Sequence, residues 1–200
     1  MIIGVLNIKG GVAKTTTAMA LATAATRDGL DVTVLDADPQ GTATMWADAA
    51  ADAGEQLPFA VDSANRAQIE RMRARRPDGD GDLLVIDCPP NGDVLSETIR
   101  TADFVVVPST ASPIDLQQTT RTCLACEDAG RDYGVLIVMA RRATNSLKEF
   151  REALEEAGVG LFNTEIPLRE GFKADFGHRF RSNLHGYEDA WNEIKEEMAS

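Results

Sequence analysis

Six short runs rich in Val, Ile and Leu punctuate this chain: IIGVLN (2–7), VTVLDA (32–37), LLVIDC (83–88), FVVVPS (104–109), VLIVMA (135–140) and LFNTEI (161–166). They are short and largely continuous rather than strictly alternating, as strands covered on both faces are. Between them lie stretches of helical character near 14–28, 41–53, 64–75, 93–102, 114–130 and 145–157, and the tail 186–199 reads as a final helix. Strand, helix, strand, repeated with no long linker, predicts an α/β chain: a parallel, doubly wound sheet with helices on both faces. Two hundred residues suit one such domain, 1–200, with a full core.

GGVAKTT (10–16) follows the first strand and opens the first helix, the context in which a glycine-rich loop binds phosphate. Backbone N–H groups of Gly10, Gly11, Val12 and Ala13 would point inward, and the helix N-terminus adds partial positive charge. Lys14 would reach the β- and γ-phosphates. Thr15 would place its hydroxyl on Mg²⁺, and Thr16 would bond a phosphate oxygen. A glycine turn that merely starts a helix has no need of Lys-Thr-Thr at this spacing. A second lysine, Lys9, stands at the entrance to the loop, where one nucleotide has no evident use for it.

KGGxxKTT with that extra lysine resembles the deviant Walker A motif of the ParA/MinD ATPases. The resemblance runs from residue 2 to about 190. It implies ATP and Mg²⁺ as ligands, a homodimer formed on ATP, and a role for Lys9 across the dimer, on the partner's nucleotide. A cation supplied in trans stabilises phosphate charge only when two chains meet. The family usually has Gly where this chain has Ala13. If that position needs φ > 0, Ala costs roughly 1 kcal/mol there.

VLDADPQGTAT (34–44) resembles the family's switch I, which assigns Asp38 to the attacking water and Asp36 to the Mg²⁺ shell. Two carboxylates at i and i+2 on an extended segment point the same way, although capping of the next helix would also account for them. LLVIDCPP (83–90) resembles a Walker B strand running into switch II, with Asp87 holding Mg²⁺ through water at the C-terminal end of its strand. PSTASPIDLQQT (108–119) resembles the loop and helix start after the family's fifth element, which implies a place for Asp115 near the dimer or the nucleotide, and the resemblance makes Pro167 in EIPLRE (165–170) a neighbour of the adenine base.

Composition narrows the class. The chain is 44% hydrophobic and 26% charged, and its runs are far short of a membrane span. MIIGVLNIKGG has no basic n-region of a signal peptide, so a cytoplasmic protein is expected. The terminal helix carries Trp191, Ile194 and Met198 at helical spacing over an acidic polar face, which suits packing on the domain and not membrane adsorption. Three cysteines, Cys88, Cys123 and Cys126, make no disulfide framework. Cys123 and Cys126 share one helix and read as small buried side chains, whereas an iron–sulfur reductase would need separated ligands.

The formal charge of −12 argues against broad affinity for nucleic acid, but the charge is uneven. Arg141, Arg142, Arg169, Lys173, Arg179 and Arg181 fall in the C-terminal third, where relatives carry DNA-contacting arginines. A switch of the small ParA class is therefore expected. ATP closes a dimer, the dimer binds nonspecific DNA over the nucleoid, and a ParB-like activator triggers hydrolysis while a plasmid or chromosome locus is moved. A protein cargo, such as a carboxysome or chemoreceptor cluster, fits the same residues. A nucleotide-binding scaffold with little turnover is favoured by Ala13 alone.

Overall fold

The computed structural model describes residues 1–74, 82–141, 144–169 and 175–199. The elements alternate as β1 (Ile2–Val5), α1 (Lys14–Arg27), β2 (Asp31–Asp36), α2 (Thr42–Asp52), β3 (Ala60–Ser63), α3 (Arg66–Ala74), β4 (Asp82–Asp87), α4 (Asp93–Thr101), β5 (Phe104–Ser109), α5 (Pro113–Asp128), β6 (Asp132–Ala140), α6 (Asn145–Glu156), β7 (Leu161–Pro167) and α7 (Tyr187–Met198). All strand pairs are parallel, in the order β3-β2-β4-β1-β5-β6-β7. β1 is central, so the loop after it opens in the middle of the sheet's C-terminal edge.

Side chains leave each strand on alternate faces and build two layers. Ile3, Val5, Val34, Val85 and Val106 face α1, α2 and α7. Leu6, Val105, Val107, Val135 and Ile137 face α4, α5 and α6, while Ile2, Leu35 and Ile86 meet Ile69 of α3. Helix α1 is buried on most of its circumference, from Thr17 to Ala25. Its run of Ala residues makes that possible, because small side chains let it lie close to the sheet with α2 and α7 over it.

Six strands are expected and seven form. β3, Ala60–Ser63, is a mostly exposed edge strand paired with β2. Its four residues hold one β-branched apolar side chain. It exists because β2 presents a row of backbone groups that must be satisfied, a condition set by the partner strand.

The tail helix packs on the domain. Tyr187, Trp191 and Ile194 are buried on its inner face, while Met198 is 39% exposed. Two polar ties fix it to α1: the Tyr187 hydroxyl lies 3.0 Å from Thr17 Oγ1, and Trp191 Nε1 and Lys195 Nζ both donate to Asp28. A third tie goes to β7. Its register with β6 shifts between Leu161 and Glu165, and Glu193 accepts from the backbone N–H groups of Asn163 and Thr164 at 2.7 and 2.8 Å. No helix among the described residues is long and apolar enough to cross a membrane.

Candidate active site

The loop from Leu6 to Ala13 turns the chain from β1 into α1. Gly11 takes φ 77° and Ala13 φ 56°, ψ 33°. The left-handed backbone anticipated at Ala13 is present, and Ala carries its cost of roughly 1 kcal/mol. Ala13 offers no side-chain cap to α1. The first N–H groups of the helix are thereby free of the usual capping oxygen and suit an anion. Replacing Ala13 by Gly relieves the strain while leaving those donors in place. The expected result is a rise in unfolding free energy of up to about 1 kcal/mol in a denaturant titration, and unchanged or lower stability would show the Cβ to be tolerated.

Asn7 roots this loop, a role its sequence position did not announce. It is fully buried. Its Nδ2 donates to Pro108 O at 2.9 Å and to Thr119 Oγ1 at 3.2 Å, and its Oδ1 accepts from Lys9 N and Thr122 Oγ1. The backbone at Lys9 is thus tied to β5 and α5.

Lys14 is 8% exposed and donates to Lys9 O at 2.9 Å. Burial lowers its pKa, against the pull of Asp87 and Asp38. Lys9 is more open, its side chain 38% exposed, and its Nζ lies 3.8 Å from Asp115 Oδ1. Asp115 is itself buried in the first turn of α5 and accepts from Thr110 Oγ1. The structure therefore places Asp115 beside Lys9.

Three carboxylates surround the foot of the loop. Asp36 and Asp87 are register partners on β2 and β4, on strands about 4.8 Å apart. They are 3% and 1% exposed. Asp36 Oδ1 and Asp87 Oδ2 are buried without a hydrogen-bond partner. Burial pushes the Asp87 carboxyl up to about 7, with Asp36 and Asp38 adding to the rise and a hydrogen bond from Thr15 opposing it. Two neighbouring buried carboxylates with orphaned oxygens fit a divalent cation. No set of three or more acidic, His or Cys side chains among the described residues could hold a metal alone. That suits Mg²⁺, which keeps several waters and takes few protein ligands beside substrate phosphates. Thr15, Asp36 and Asp87 would hold it, directly or through water. Asp38 is half-buried, acts electrostatically on Asp87 and Lys14, and accepts from Gln40 N at 2.9 Å. The capping role weighed for these aspartates is real for Asp36, whose Oδ2 accepts from Thr44 N.

The raised Asp87 pKa makes metal-free stability fall with pH. Below an unfolded pKa near 3.8 both states hold the proton. From there to about 7 the unfolded chain releases it and the folded chain keeps it, so stability is lost progressively across that window. The excess stability of Asp87→Asn over the parent, without metal or nucleotide, is expected to grow from pH 5 to pH 7 and then level off. A pH-independent difference in melting midpoint would contradict this.

Beside Ala13 and Thr16 lies a mostly apolar cavity of about 170 Å³, also lined by Met139, Ile166, Pro167 and Tyr187. Pro167 was expected near a base, and Tyr187 was not. Met139 has φ 52° at the second register shift between β6 and β7. The cysteines are free and buried, with burial pushing each thiol up to about 12.

Among the described residues, the candidate DNA-contacting side chains lie on three segments of the chain. Arg141 and Arg169 are exposed just past the paired ends of β6 and β7. Arg179 and Arg181 are exposed near the far end of α1, where Arg27 donates to the carbonyls of Phe180, Arg181 and Ser182. Arg169 lines a cavity with Asn183 and His185, and Arg179 and Arg181 line another with the same two residues. Arg142 and Lys173 lie outside the described residues.

A family model described as the CobQ/CobB/MinD/ParA nucleotide binding domain matches residues 3–179. The chain belongs to the ParA/MinD family. ParA/MinD proteins are ATP hydrolases that use Mg²⁺, and this chain is one of them. A protein named "Maintenance of carboxysome distribution protein A" from Gloeobacter kilaueensis is 34% identical over 169 residues, 82% of this chain and 76% of the relative. "Chromosome-partitioning ATPase Soj" of Thermus thermophilus is 30% identical over 199 residues, covering 82% and 80%. The solved structure of the Pyrococcus furiosus cell division ATPase MinD superposes with a TM-score of 0.76 at 16% identity, covering 98% of each chain. At that identity the likeness concerns the fold.

Proposed function

We propose that this ParA/MinD ATPase is an ATP-dependent dimerising switch that binds nonspecific DNA in its ATP state and positions a cargo. Lys9 carries the reading. It stands at the mouth of the loop, more than a third exposed and 3.8 Å from Asp115, while Lys14 fills the loop of its own chain. In the proposed cycle Gly10 to Thr16 hold the phosphates, Lys14 neutralises them, and the base lies against Pro167 and Tyr187. Lys9 leaves Asp115 for the partner's nucleotide, and Asp38 orients the attacking water. Closing the dimer doubles the number of exposed arginines, so DNA affinity follows ATP.

The 34% identity to a carboxysome distribution protein favours a protein cargo over a plasmid or chromosome locus. The partner that reads the cargo is then a small activator of hydrolysis, which need not be ParB-like.

The test is binding to nonspecific duplex DNA with ATP, with ADP and without nucleotide, at 50 and 200 mM salt. Tight, salt-sensitive binding with ATP only is expected. Equal binding in all three states, or none in any, would remove DNA from the cycle.

A further inference from the structure

Asp36 is held in an asymmetric way. Its Oδ2 accepts two hydrogen bonds from one residue, the backbone N and the Oγ1 of Thr44, each 2.8 Å long. Its Oδ1 is buried and has no hydrogen-bond partner. A carboxylate gripped twice at one oxygen cannot turn about its Cβ–Cγ bond without breaking both bonds. The other oxygen keeps a fixed direction.

Thr44 lies in the first turn of α2, directly after the loop that carries Asp38. Gly41 precedes that helix and supplies no side-chain cap, so the backbone half of the grip serves as the cap. The hydroxyl half is not needed for capping. Its other neighbour is Ser63 Oγ at 3.5 Å, a weak contact at best.

We propose that Thr44 is a positioning residue for the magnesium site: its hydroxyl locks the Asp36 carboxylate so that Oδ1 is presented to the water shell of the ion. This rests on the reading of Asp36 and Asp87 as the Mg²⁺ pair. It also makes α2 part of the metal site, because a shift of its first turn carries the Asp36 carboxylate with it.

The experiment titrates MgCl₂ against binding of a fluorescent ADP analogue, with an EDTA baseline, for the parent, Thr44→Val and Thr44→Ser. Val keeps the shape and the backbone N–H but removes the hydroxyl, and Ser restores it. Thr44→Val is expected to raise half-saturating Mg²⁺ by about tenfold, the low end for loss of a group that orients a metal ligand. Affinity in EDTA should stay unchanged, and Thr44→Ser should return the Mg²⁺ requirement to within about twofold of the parent. A Val variant with the parent's Mg²⁺ requirement would overturn the proposal. So would equal shifts in Val and Ser, or a Val shift matched by the same loss of affinity in EDTA. If the parent binds the analogue with no response to Mg²⁺, the reading of the site fails first, and that result differs from all of these.

Discussion

Replacing Lys9 by alanine is expected to abolish the ATP-dependent dimer at concentrations where the parent dimerises. Within its own chain the Lys9 side chain makes one partly exposed ion pair with Asp115, at 3.8 Å, and such pairs contribute little. The bond that closes the loop uses the Lys9 carbonyl, which alanine retains. Affinity of the monomer for ATP should therefore hold to within about twofold. Across an interface the same ammonium would face phosphate away from bulk water, and removing one partner of a desolvated charged contact costs about 3 kcal/mol, on the order of 100-fold in dimer dissociation. Sedimentation with ATP, in a variant that hydrolyses slowly, measures this directly. An intact dimer would sink the trans role. Asp115→Asn separates the two functions of Lys9: it breaks the pair within the chain, and the dimer should survive.

Asp38→Ala is expected to slow hydrolysis by about 10²-fold or more, the usual scale for losing a group that handles the proton of an attacking water. ATP should still bind, because the loop, Lys14 and Thr15 are untouched, and the ATP dimer should accumulate. Single-turnover cleavage of bound ATP is the measurement. A rate within threefold of the parent would move the catalytic role to another residue. Together the two variants dissect the cycle, since one should bind ATP without pairing and the other should pair without release.

The phosphate loop was legible because its information is local. A strand, two glycines, a lysine and two threonines follow one another, and the fold keeps them in that order. The left-handed turn at Ala13 could be anticipated as a conditional cost and is present at φ 56°. Asp36 and Asp87 were legible as strand ends, and parallel pairing of β2 with β4 brings them side by side. Residues whose roles depend on distant partners were not. Asn7 bonds to groups more than a hundred positions away, and Tyr187 reaches the cavity only because α7 folds back along α1. Strand β3 follows from the open edge of β2. Which arginines share a surface was not legible either, because Arg141 and Arg169 follow the ends of β6 and β7 while the 180–182 backbone is held by Arg27 at the end of α1.

The ties on α7 have a practical consequence for imaging. Its first turn touches Thr17 and lines the cavity beside the loop, while Glu193, Glu196 and Glu197 lie with Phe104, Gly134 and Leu161 at the opposite edge of the sheet. A fluorescent reporter joined beyond Met198 would hang from that remote edge and leave the nucleotide face clear. Joined before Met1 it would sit at the same remote edge, since Met1 N donates to Asp82 O at the start of β4. Trimming α7 to shorten such a fusion would remove Tyr187 and the Glu193 clamp, so the helix should be kept whole when the protein is followed in a living cell.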